Sequence, residues 1–99
     1  MSSTAQICSS VIGPRDPLTG AVPAGADAQI ANLFIHMGSI LEAAAATWAQ
    51  VAKIDFFVSE QAHREAINPC WVEHFPDERS RPARHTHVLP DAGPVTCSF

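Results

Sequence analysis

Residues 27–59, DAQIANLFIHMGSILEAAAATWAQVAKIDFFVS, change hydrophobic period partway along, and that change decides the fold class. From Asp27 to about Thr47 the apolar residues Ile30, Leu33, Phe34, Met37, Leu41 and Ala44 recur at helical spacing, so one stripe of an amphipathic helix faces a core. Asp27 is the expected N-cap, because a short side-chain oxygen there can accept from the free amides of the first turn. The alanine run Ala43 to Ala46 predicts close packing of the helix end on a sheet. From Val51 to Ser59 the pattern becomes β-branched and aromatic, VAKIDFFVS, as expected of a buried strand.

Working outward, Ala5 to Ile12 (AQICSSVI) is β-prone and leads into a Pro- and Gly-rich loop, Gly13 to Gly25, that contains Asp16-Pro17-Leu18-Thr19-Gly20, a strong turn sequence. After Ser59 a second helix is predicted from about Gln61 to His74. Pro69 interrupts it, so either the helix kinks or it effectively starts near Asn68 with Pro69 in its first turn. Phe75-Pro76-Asp77 closes it. Arg84 to Leu89 and Val95 to Phe99 are expected to be two strands, joined by the turn Pro90-Asp91-Ala92-Gly93-Pro94. Two amphipathic helices and four extended segments predict an α+β fold, with helices covering one face of a sheet.

Ninety-nine residues make one domain with a modest core, and 46% hydrophobic against 16% charged residues make it globular. A net charge of -4 and a single lysine, Lys53, argue against binding to nucleic acid or anionic lipid. No apolar run is long enough for a membrane span, and the start lacks the pattern of a signal peptide. Cys8, Cys70 and Cys97, odd in number and scattered, fit reduced thiols, which leads to the expectation of a cytoplasmic protein.

The chemistry is densest in Arg81-Pro82-Ala83-Arg84-His85-Thr86-His87. Arg84 can hold a carboxylate through two parallel hydrogen bonds, so a planar anionic ligand is expected. His85 and His87 lie on one side of an extended segment and titrate near neutrality. With His74 or Cys97 as a third ligand they could bind metal. The sequence offers no CxxC, no HExxH and no carboxylate at ligand spacing, so no metal is expected. Cys97 in an apolar terminal strand reads as a small hydrophobe rather than a nucleophile. Asp77-Glu78-Arg79 reads as a solvated loop. No GxGxxG, P-loop or GxSxG element supports nucleotide binding or serine-hydrolase chemistry. Trp48 and Trp71 are expected to anchor the core or a subunit interface.

The order of Ser10, Asp16-Pro-x-Thr-Gly20, Ala28-Gln29, Ile40-Leu41-Glu42-Ala43-Ala44, Val51-x-Lys53, Phe57-Val58, Asn68 and Arg81-Pro-Ala-Arg84 resembles the Rid family, also called YjgF/YER057c/UK114, over nearly the whole chain. The resemblance implies a chorismate-mutase-like α+β fold, a mixed sheet covered on one face by two helices, assembled as a homotrimer with ligand clefts between subunits. It also implies hydrolysis of reactive imines and enamines, small 2-imino acids, to 2-keto acids and ammonia, with no cofactor. Arg84 matches the arginine that pairs with the substrate carboxylate. Ser10 matches the serine of a Ser-Gly-Gln element, and Asn68 an asparagine near the cleft.

The departures bear on the chemistry. Val11-Ile12 replaces Gly-Gln after the serine, which alters one wall of the cleft. Thr86 stands where relatives often carry cysteine. Thr96 stands where archetypal deaminases carry a glutamate that positions the attacking water, and a threonine hydroxyl cannot act as a carboxylate base. His85 or His87 could substitute as the proton-transfer group. The family usually has a further strand before the Ala5 segment, so residues 1–99 are expected to form a single Rid-like domain shortened at its start, with fewer strands and an exposed edge. Three functions follow: an imine/enamine deaminase using Arg84 and Thr96, with Ser10, Asn68 and Thr86 at the substrate; a small-carboxylate-binding protein without turnover; and an endoribonuclease or translation inhibitor. The apolar fraction and two tryptophans also suggest a sheet face that a neighbouring copy covers.

Overall fold

The computed structural model describes residues 8–79 and 81–99. Its elements run α1 (Ala26–Ala43), a short 3-10 turn (Trp48–Gln50), β1 (Lys53–Val58), α2 (His63–Ala66), α3 (Asn68–His74), β2 (Ala83–Val88) and β3 (Thr96–Ser98). The fold is α+β, with one sheet and helices packed on one face of it. Among the described residues no helix is long and apolar enough to cross a membrane.

The stripe expected on α1 is buried at Ile30, Leu33, Phe34, Met37 and Leu41. Two polar residues share it. Gln29 donates from Nε2 to the Pro23 carbonyl at 2.8 Å and accepts from the Val95 amide at 3.0 Å, and Asn32 donates to the Pro14 carbonyl at 3.2 Å. Gln29 thereby fastens the entrance to β3 against α1, with its polar atoms satisfied inside the core.

Both ends of α1 correct the sequence reading. Gly25 is the N-cap, and Asp27 falls in the first turn, where its charge favours the helix dipole without capping. The helix stops at Ala43, not near Thr47, and Ala44 is exposed. Ala45 turns left-handed at φ 55, its amide donates to Glu42 O at 3.0 Å, and the Ala46 amide donates to Leu41 O at 2.8 Å. These two bonds define a Schellman closure. Alanine propensity favours continuing the helix, but Trp48 stacks on Phe34 with centroids 5.9 Å apart, and the chain must reverse to bring it there. The alanines at 43–45 are exposed and do not pack on the sheet.

β1 is the central strand, in the order β2-β1-β3. Ile54, Phe56 and Val58 point into the core, and Lys53, Asp55 and Phe57 point the other way. β2 runs parallel to β1, with Ile54 opposite Arg84 and Phe56 opposite Thr86, while β3 runs antiparallel on the other side, with Phe57 opposite Thr96. The turn at residues 90–94 is therefore not a hairpin: β2 and β3 flank β1 instead of pairing. Parallel pairing of β1 and β2 requires the crossover that α2 and α3 supply. Of the strand expected over Ala5 to Ile12, residues 5–7 lie outside the described residues. The remainder meets β3 through the bridge Ile12↔Cys97 and a bond from the Ser9 amide to Phe99 O at 2.7 Å. The second helix breaks at Ile67, with Pro69 in the first turn of α3 and Phe75 as its C-cap, the second of the two arrangements open to the sequence.

Candidate functional site

Arg84 stands on the helix-facing side of edge strand β2, because it pairs with the inward-facing Ile54. Its guanidinium lies over two rings, 5.3 Å from the Trp71 centroid and 5.9 Å from that of Phe56. Nη1 donates to Asn68 Oδ1 at 2.7 Å and Nη2 donates to the Arg64 carbonyl at 2.6 Å. That carbonyl lies in the last turn of α2, which ends at Ala66, and last-turn carbonyls take partners outside the helix. The end of α2 and the start of α3, with Pro69 in its first turn, thus supply the Arg64 carbonyl and Asn68 that seat the arginine.

The guanidinium carries five N–H donors, of which these bonds use two. Among the described residues no carboxylate lies within 4 Å of it. Burial, and after it the positive charge of Arg64, lower its pKa from the ordinary arginine value. A half-buried cation held by neutral acceptors retains most of its desolvation cost, and an anion with two oxygens in a plane offsets that cost best. Beside it opens a cleft of about 360 Å³ lined by Gln61, Ala62, Arg64, Glu65, Asn68 and Arg84.

The other residues singled out from sequence are distributed differently. Asn68 joins Arg84 directly. Thr86 shares its sheet face two residues on, half-buried opposite Phe56, and is not part of the cleft wall. Thr96 lies on the opposite face of the sheet, since it pairs with Phe57 and is out of phase with the buried Cys97. Ser10 is exposed and lines a separate hollow of about 500 Å³ with Arg15, His36 and Ser39. One chain therefore brings Arg84 and Asn68 together and keeps Ser10 and Thr96 apart from them.

His85 and His87 also face away from Arg84. His87 donates from Nε2 to Asp55 Oδ1 at 3.2 Å and stacks on Phe57 with centroids 5.0 Å apart. His74 stacks on Phe34 from the helix side at 4.7 Å, and Cys97 is fully buried, its thiol pushed up to about 12 by burial. Among the described residues no three His, Cys, Asp or Glu side chains converge as a metal site. Sequence reasoning missed Gln61, Arg64 and Glu65. Their spacing to Asn68 was the available signal, because positions three and four apart share a helix face.

A family model described as endoribonuclease L-PSP matches residues 3–90. No curated protein matches the chain. Among solved structures, the YjgF gene product of Escherichia coli is 23% identical, with a TM-score of 0.79 over 92% of this chain and 75% of that one. RidA of an Antarctic Psychrobacter species is 25% identical, with a TM-score of 0.76 over 90% of this chain and 73% of that one. Escherichia coli TdcF, solved with bound serine, is 19% identical, with a TM-score of 0.80 over 92% and 75%. With 88 of 99 residues inside the family model and this fold shared throughout, the chain belongs to the endoribonuclease L-PSP family, the YjgF/Rid proteins.

Proposed function

We propose that this protein is an imine/enamine deaminase that hydrolyses small 2-imino acids to 2-keto acids and ammonia in the Arg84 cleft. The observation that carries the reading is the Arg84 guanidinium, half-buried, oriented by Asn68 and the Arg64 carbonyl, and without a carboxylate partner among the described residues. The serine bound to the TdcF relative is a small amino acid carboxylate of the class such a site takes. Arg84 fixes the carboxylate of the substrate, which leaves its electrophilic imine carbon within the cleft for water. Holding the reactants in place supplies much of what so reactive a bond needs. Ser10, Thr86 and Thr96 are the remaining candidates for contacts with the substrate. Because Ser10 and Thr96 stand away from Arg84 in one chain, the reading includes a homotrimer in which a neighbour's residues complete the cleft. The half-exposed sheet face bearing Asp55, Phe57, Thr96 and Ser98 is suited to such contact.

A second reading, a protein that binds small carboxylates without turnover, is favoured by the placement of Thr96 across the sheet from Arg84. Ribonuclease activity gains least, since the chain carries a net charge of -4 and one lysine. The deciding experiment generates the imine from an amino acid with an oxidase and follows keto-acid release. Acceleration by the protein, absent with Arg84→Ala, supports the deaminase. Calorimetric binding of 2-oxobutanoate that depends on Arg84, without acceleration, supports the binding protein instead.

A further inference from the structure

Hydrolysis of an imine needs a group that takes a proton from water as its oxygen bonds to carbon, and that returns protons to the departing nitrogen. Arg84 stays protonated at any working pH, and Asn68 and Gln61 are neutral amides, so none of them can do this. The chain has ten Asp and Glu residues, all among those described, and only Glu65 lines the Arg84 cleft. Asp55 lies on the sheet face offered to a neighbouring copy, but its carboxylate is already engaged by His87 and Lys53. Glu60 borders a different hollow, where it lies 3.9 Å from His63.

The backbone places Glu65 beside the anchor. Arg84 Nη2 is bonded at 2.6 Å to the Arg64 carbonyl, the peptide group that leads directly into Glu65. The Glu65 side chain is exposed, and among the described residues its carboxylate has no ion-pair partner within 4 Å, so its oxygens are open to water. It does not neutralise Arg84, which a group acting from across the substrate must avoid. The charged groups facing it across the cleft are Arg64 and Arg84.

We propose that Glu65 is the catalytic carboxylate of this cleft, orienting and deprotonating the water that attacks the imine carbon; the proposal rests on the deaminase reading above. Water oxygen bonds to the carbon, its proton passes to Glu65, and the C=N π pair moves onto nitrogen. Glu65 then delivers that proton to nitrogen, and as the C=O bond of the keto acid forms the second water proton passes through Glu65 to the same nitrogen, so that the C–N bond breaks with its electrons leaving on ammonia. No oxidation occurs, and Glu65 ends as it began.

The test compares the full-length chain with Glu65→Gln, Glu65→Asp, Glu60→Gln and Arg84→Met, reading keto-acid release from an oxidase-generated imine and calorimetric binding of 2-oxobutanoate. Glu65→Gln is expected to lose roughly 100-fold or more in kcat. Its KM and its 2-oxobutanoate affinity should stay within about twofold of wild type, and the acidic limb of the pH–rate profile should vanish. Glu65→Asp should recover part of the rate, and Glu60→Gln all of it. Full activity in Glu65→Gln beside an inactive Arg84→Met overturns the role of Glu65 and leaves the deaminase standing. Equal losses of rate and affinity in Glu65→Gln show a structural role and also overturn it. No acceleration by wild type overturns both.

Discussion

Replacing Arg84 by methionine separates an anchor from a strut. The change removes the guanidinium but leaves an unbranched side chain of similar reach over Trp71 and Phe56, whose centroids lie 5.3 and 5.9 Å from its carbon. It deletes two hydrogen bonds from a charged donor, to Asn68 Oδ1 and the Arg64 carbonyl, worth about 1.5 kcal/mol each at the low end because both acceptors border an open cleft and can turn to water. The ring contacts add about 0.5–1 kcal/mol. Against this, methionine removes a half-buried cation that has no carboxylate partner among the described residues, whose desolvation costs about 2–3 kcal/mol. The terms largely cancel, so Arg84→Met should lose no more than about 2 kcal/mol of stability.

Ligand binding behaves differently. A bidentate carboxylate contact of about 3 kcal/mol has no replacement, which lowers affinity for 2-oxobutanoate by roughly 100-fold. Thermal melting read beside calorimetric titration distinguishes the two roles. A stability loss above about 3 kcal/mol would show that Arg84 holds the fold together, and undiminished binding would remove it from the ligand site altogether.

Two further predictions concern the scaffold. Ala45 at φ 55 costs about 1–2 kcal/mol that glycine avoids, while glycine gives up roughly 0.4–1 kcal/mol through the unfolded chain, so Ala45→Gly should raise the melting temperature by about 2–6 °C. A lowered value would refute the Schellman closure of α1. The hydrogen bond from His87 first, and Lys53 after it, hold the Asp55 carboxyl below its ordinary range against the opposing effect of burial. A depressed folded-state pKa gives stability that is complete above the unfolded value of about 3.9 and is lost as pH falls through the folded value. Melting of Asp55→Asn should accordingly depend less on pH below about 4 than that of wild type, and parallel curves would exclude the coupling.

The elements were legible in sequence where the signal was local. The periodicity of α1, the aromatic and β-branched run of β1, the Pro69 break and the Asp16 turn each involve residues within a few positions of one another, and each sets its own backbone. The turn is closed as its residues require, with Asp16 Oδ1 accepting from the amides of Leu18 and Thr19 and Gly20 at φ 75. Less local matters were misread. The alanine run favours helix by propensity, yet the stacking of Trp48 on Phe34 ends it. The turn before Val95 joins two strands that do not pair, and β3 finds its partner on the far side of β1.

For the site, residue types mark Arg84 as able to hold a carboxylate, and the family resemblance made it the proposed anchor and added Asn68, because the motif bearing Arg84 is written in contiguous residues. Only the tertiary structure decided which groups stand with them. Thr96 and Arg84 lie twelve positions apart, and the alternation of one strand with another puts them on opposite faces of the sheet. Arg64 and Glu65 reach the cleft because a parallel crossover lays α2 across the edge strand. Pairing and crossover are long-range choices, made by the burial of Ile54, Phe56 and Val58 against α1 and α3, and no local pattern encodes which loop they will carry to the arginine.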